Sequence, residues 1–111
     1  MAREPFQSLT EQMYYILLAL MEPRCGVDIS QAAARLSRKQ LSIGLGTLYT
    51  LLAKFEQEGM IRTVRTEGRK RYYQITDHGK EMLFAEYRRL KRLVEGGAPF
   101  LEHQTDREVY Q

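Results

Sequence analysis

A chain of 111 residues with 43% hydrophobic and 28% charged side chains, a formal net charge of +3 and one cysteine has the profile of a single globular domain. No apolar run approaches the roughly 18 residues of a membrane span, and Cys25 alone can build neither an internal disulfide nor a cysteine-cluster zinc site. The first residues lack the apolar core and small-residue cleavage site of a secretion signal, so a cytoplasmic location is expected, with Cys25 as a small buried hydrophobe.

Helix one is expected to start at Thr10, whose hydroxyl can cap the first-turn amides, with Ser8 and Glu11 at an overlapping capping-box spacing; Pro23 ends it. Met13, Ile16, Leu17 and Leu20 recur at three- and four-residue intervals and mark a core face. Tyr14, Leu18 and Met21 widen the apolar arc, which fits either a partner surface or a helix buried on most sides. Helix two, roughly residues 27–36, turns Ile29, Ala32, Ala33 and Leu36 inward. Ser42, Gly44 and Gly46 interrupt helical propensity before helix three, 47–58, whose buried stripe is Leu48, Leu51, Leu52 and Phe55.

Gly59 suits the left-handed residue that closes many helices. Two short strands follow, Met60, Ile61 and Val64 against Tyr72, Tyr73 and Ile75, around the polar turn Thr66-Glu67-Gly68-Arg69. Thr76 caps a fourth helix to about residue 95, with a stripe of Leu83, Tyr87, Leu90 and Val94 broadened by Met82, Phe84, Ala85 and Leu93. Gly96-Gly97-Ala98-Pro99 then punctuates the chain and leaves a polar tail, mobile or short and helical. The expected fold class is mainly α with a β-hairpin: a winged helix-turn-helix over residues 1–76, a dimerisation helix over 77–97 and a tail over 98–111.

Charge distribution sharpens this reading. Residues 1–59 hold six basic and six acidic side chains, and residues 81–111 hold five and six. Residues 60–80 hold Arg62, Arg65, Arg69, Lys70, Arg71 and Lys80 against Glu67 and Asp77. The surplus therefore sits in and just after the hairpin, where it creates a local field for a polyanion.

A helix entering the major groove needs short side chains at its leading end. Ser42, Gly46, Thr47 and Thr50 suit base approach, while Tyr49 and Lys54 suit phosphates. Arg69, Lys70 and Arg71 can splay from the glycine turn toward phosphates or a minor groove, and Tyr72 or Tyr73 lies at the wing surface, the other beneath it. The bland alternatives are a well-capped surface helix and a solvated charged hairpin, or a winged-helix protein-interaction module that meets an acidic partner. His78 and His103 lack companions at a metal-ligand spacing, and no phosphate loop, nucleophile elbow or acid/base pair is present; neither a metal, a cofactor nor an enzymatic activity is expected.

Several segments resemble the PadR family of winged-helix transcriptional regulators over about residues 9–95. They are Leu9-Thr10-Glu11 with Ile16-Leu17-Leu18-Ala19-Leu20 behind it, Gly26, Gly46-Thr47-Leu48-Tyr49, Glu58-Gly59-Met60-Ile61, and Gly68-Arg69-Lys70-Arg71-Tyr72-Tyr73 with Ile75-Thr76 and Gly79. The single C-terminal helix is similar to the small, LmrR-like subfamily. The resemblance implies a homodimer in which helix four packs on helices one and four of the other subunit, bound to a pseudo-palindromic operator in double-stranded DNA. It also implies a repressor released by a small phenolic or hydrophobic effector held between subunits, at positions matching Tyr15, Leu18, Leu83, Tyr87 and Leu90. This chain departs from the family in having Cys25-Gly26-Val27 where His-Gly-Tyr is frequent, and Leu90 where the subfamily pore carries a tryptophan.

Overall fold

Four helices and one hairpin follow in the order α1 (Glu11–Ala19), α2 (Gly26–Leu36), α3 (Leu45–Gln57), β1 (Ile61–Glu67), β2 (Lys70–Ile75) and α4 (Asp77–Gln104) in a computed structural model that describes residues 8–104. The first seven residues and residues 105–111, the second half of the expected tail, lie outside the described residues.

Thr10 caps α1, accepting the Met13 amide at 3.1 Å, but its partner is not the spacing expected from Ser8 and Glu11. The Thr10 amide instead donates to the thioether Sδ of Met13 at 3.3 Å, because Met13 is buried directly over the cap. α1 stops at Ala19, ahead of Pro23. The connection to α2 then joins the wing: Arg24 and Tyr73 exchange backbone hydrogen bonds of 3.0 and 2.9 Å, and the Ile75 amide donates to the Leu20 carbonyl. The hairpin is thereby anchored to the helical body by a third rung.

The reversal between α2 and α3 differs from the sequence expectation. Arg38 and Lys39 adopt left-handed φ of 55° and 64°, and the buried Ser37 hydroxyl accepts the Leu41 amide while donating to the Ala34 carbonyl. Leu36, expected in the core, is half exposed because the chain leaves the helix there. α3 starts two residues earlier than expected. Gly44 is its N-cap, with the Leu48 amide on the Gly44 carbonyl, and Gly46 lies within its first turn. Glycine weakens a helix only by about 1 kcal/mol, which does not stop a segment whose Leu48, Leu52 and Phe55 are buried.

Gly59, at φ +76°, ends α3 as expected, with the Met60 amide reaching back to the Phe55 carbonyl. The strands pair antiparallel from Ile61 with Ile75 to Glu67 with Lys70, with an irregularity between Thr63 and Arg65. The loop is therefore only Gly68-Arg69, shorter than the four-residue turn expected, and Gly68 at φ +60° supplies its left-handed residue. Thr76 caps α4, accepting the Gly79 amide at 3.1 Å and donating to the Gly59 carbonyl at 2.6 Å.

One core unites all elements: Ile16, Leu17 and Leu20 of α1, Ile29, Ala32 and Ala33 of α2, Leu48, Leu52 and Phe55 of α3, Ile61, Tyr73 and Ile75 of the wing, and Leu83 of α4; Leu51, expected in the buried stripe, packs against it only part-buried. α4 then runs on through Gly96, Gly97 and Pro99, so the expected break is absent. Pro99 removes one amide from the helical ladder, yet the bonds on either side can persist. No described helix is long and apolar enough to cross a membrane.

Candidate nucleic-acid interface

The core stripe of α3 turns its other face outward. Ser42, Gly46, Thr47, Tyr49, Thr50 and Lys54 are all exposed, and Gly46, Thr47, Thr50 and Lys54 line one broad groove shared with Thr10 and Gln12 of α1. The sequence marks Thr10 only as the cap of helix one and does not single out Gln12, since nothing local to helix one says that it borders helix three. Thr50 donates its hydroxyl proton to the Gly46 carbonyl at 3.0 Å, leaving its lone pairs and methyl for anything that approaches.

Tyr49 lies on a different side of α3. Its phenol rests against the Cα of Gly26 at the start of α2, where any Cβ would collide with the ring and hydroxyl. That close approach explains the glycine that opens α2. Tyr49 shares a small cleft of about 170 Å³ with Arg69, Lys70, Arg71 and Tyr73, so α3 and the wing meet in one cationic surface.

The wing cations are not equivalent. Arg69 and Lys70, at the tip, are exposed, and neither has a carboxylate within ion-pair distance among the described residues. Arg65 binds Glu67 at 2.9 Å and stacks 3.9 Å over the Tyr72 ring on the outer face. Arg71 sits on the inner face with Tyr73. Its guanidinium donates to Thr63 Oγ1 at 2.7 Å and Glu56 Oε2 at 3.2 Å, and the Thr63 hydroxyl donates to the same carboxylate oxygen at 2.9 Å. This triangle ties both strands to the end of α3. Tyr73 is the buried member of the tyrosine pair, and burial raises its phenol above the usual range.

Of the positions matched to an effector cavity, Tyr15 and Leu90 line a groove of about 250 Å³ between α1 and α4, together with Leu9, Tyr14, Glu86 and Arg89. Leu18 packs part-buried on the core and Tyr87 is half exposed. Leu83 does not join them: the first turns of α4 press it into the core, where it is 6% exposed. The groove floor holds an ion pair missed from the sequence. Arg89 grips Glu86 through two hydrogen bonds of 2.9 and 2.6 Å, and these, aided by the Leu9 amide, hold the carboxyl below its usual range although it is 5% exposed. Tyr14 above it is raised by burial first, then by Tyr87, Tyr15 and Glu86. Among the described residues no cluster of metal-ligating side chains occurs.

The architecture is shared with solved regulators. A PadR-family transcriptional regulator from Eggerthella lenta is 26% identical, with 80% of each chain covered and a TM-score of 0.66. A PadR-like transcription factor from Bacteroides fragilis is 28% identical, covering 78% of this chain and 84% of that one at a TM-score of 0.62. A transcriptional regulator from Clostridium thermocellum is 22% identical, covering 82% and 89% at 0.67. No curated protein matches the chain. The sequence model of the PadR-like transcriptional regulator family matches residues 16–85, from the middle of α1 through the wing to the start of α4, and this chain belongs to that family.

Proposed function

We propose that the protein is a homodimeric, sequence-specific DNA-binding regulator of the cytoplasm, a repressor that leaves its operator when a small hydrophobic or phenolic molecule binds. The observation that carries the reading is the pairing of an exposed, small-residue leading edge on α3 with Arg69 and Lys70 at the tip of the wing. Unpaired cations flanking a slender helix match the duplex, whose phosphates supply affinity and whose groove edges supply identity. Thr47 and Thr50 read bases; Tyr49, Lys54, Arg69 and Lys70 meet the backbone.

The Arg71 triangle supports a different role for that residue than direct contact. It sets the angle of the wing against α3, so that both elements reach the duplex together. The effector site is the groove between α1 and α4, lined by Tyr15 and Leu90, where a ligand would alter the spacing of the two reading heads. A gel shift against restriction fragments of genomic DNA tests the reading. A subset of fragments is expected to shift at nanomolar protein in about 0.15 M salt, with random duplex retained far more weakly; equal retention of all fragments, or of none, contradicts it.

A further inference from the structure

The leading edge of α3 has an unusual composition for a groove reader. Its first two turns, Leu45 to Leu51, carry no arginine, lysine, asparagine or glutamine, the side chains that make bidentate bonds to guanine or adenine edges. What they expose is Leu45, Gly46, Thr47, Tyr49 and Thr50. Leu45, the first helical residue, is 51% exposed, whereas Leu48, Leu52 and Phe55 of the same helix are at most 2% exposed. Gly44 and Gly46 flank it, and a Cβ at either would meet nothing within 4 Å. The leucine therefore stands out from a bare backbone rather than being covered by its neighbours.

We infer that Leu45 packs on the 5-methyl group of a thymine in each half-site, with the Thr50 hydroxyl oxygen accepting from an adenine or cytosine amino group nearby. This inference rests on the DNA-binding reading and deepens it. The thymine methyl is the one apolar feature that a base edge presents in the major groove, and a half-exposed leucine is its natural complement. Thr50 has spent its proton on the Gly46 carbonyl, so it can accept a hydrogen bond but not donate one to guanine or to thymine oxygen. The open backbone at Gly44 and Gly46 lets the helix end approach closely enough for both contacts.

The test uses the duplex that the wild-type protein selects from a random-sequence library, with symmetry-related thymines replaced by deoxyuridine one pair at a time, which removes only the methyl. One pair is expected to weaken wild-type binding about fourfold per half-site, or about fifteenfold for both, from the apolar area lost. Leu45→Ala is expected to bind the thymine duplex with the same deficit and to be indifferent to deoxyuridine at that pair. Full sensitivity of Leu45→Ala, or a wild type insensitive at every thymine, overturns the contact while leaving DNA binding intact. A protein that enriches no duplex removes the DNA-binding reading itself, and the contact with it.

Discussion

Replacing Val94 and Leu101 together with glutamate is expected to convert the protein to monomers and to lower its affinity for operator DNA at least a hundredfold. α4 has 28 residues, about 42 Å at 1.5 Å per residue. Its residues buried on the body, Gly79, Leu83 and Glu86, all fall within the first ten positions. Beyond them Leu93, Val94, Phe100 and Leu101 are 57–71% exposed, on a stretch further weakened by two glycines and a proline. A helix of that composition needs a second surface to hold it. Tyr87, Val94 and Leu101 recur every seven residues, the spacing of a helix-to-helix seam, and in the proposed dimer a second copy of α4 covers them. Glutamates there would have to be desolvated to dimerise, whereas neither position is buried in the single chain, so the core of each copy should keep its packing even as the far half of α4 loses its support. A monomer loses the high effective concentration of its second reading head, which is commonly worth 10²–10⁴ in affinity. Sedimentation and binding titration check both halves of this result; a variant that stays dimeric and binds normally would move the interface elsewhere.

The double substitution R69A/K70A should cost affinity on a similar scale. If each of the four cations in a dimer neutralises one phosphate, the slope of log K against log salt should fall by about 3.6, and affinity near 0.15 M salt by about a thousandfold. R71M should behave differently. Because Arg71 is engaged with Glu56 and Thr63, its loss should weaken binding through a misplaced wing while leaving the salt slope within about 0.5 of the wild type. A slope change for R71M as large as that for one tip cation would return Arg71 to the phosphate contacts, and an unchanged slope for R69A/K70A would remove the tip from them.

Features governed by local chemistry were legible in the sequence, and those set by distant contacts were not. Gly59 and Thr76 do what a C-terminal glycine and an N-terminal threonine do in most helices, so both ends were readable. The start of α3 was misjudged because Gly44 and Gly46 look like a break when propensity is considered alone, while the burial of Leu48 against the core decides the matter. The same competition carried α4 past Gly96 and Pro99. The turn before α3 rests on left-handed Arg38 and Lys39, residues with no sequence preference for that conformation. The charge surplus of the hairpin was visible at once, but the division of labour within it was not. Arg71 and Glu56 are fifteen residues apart, and only the return of the hairpin beside the end of α3 brings them together.

In the proposed complex a two-fold dimer lays α3 and the wing of each copy onto one face of duplex DNA. Hydroxyl-radical footprinting of a fragment enriched from the genome tests it most directly. The expected pattern is two protected segments related by a dyad, their centres about 10 base pairs apart or a multiple of that, each flanked by a weaker protection that disappears with R69A/K70A. A single protected segment, or uniform cleavage at protein concentrations that retain the fragment, would contradict it.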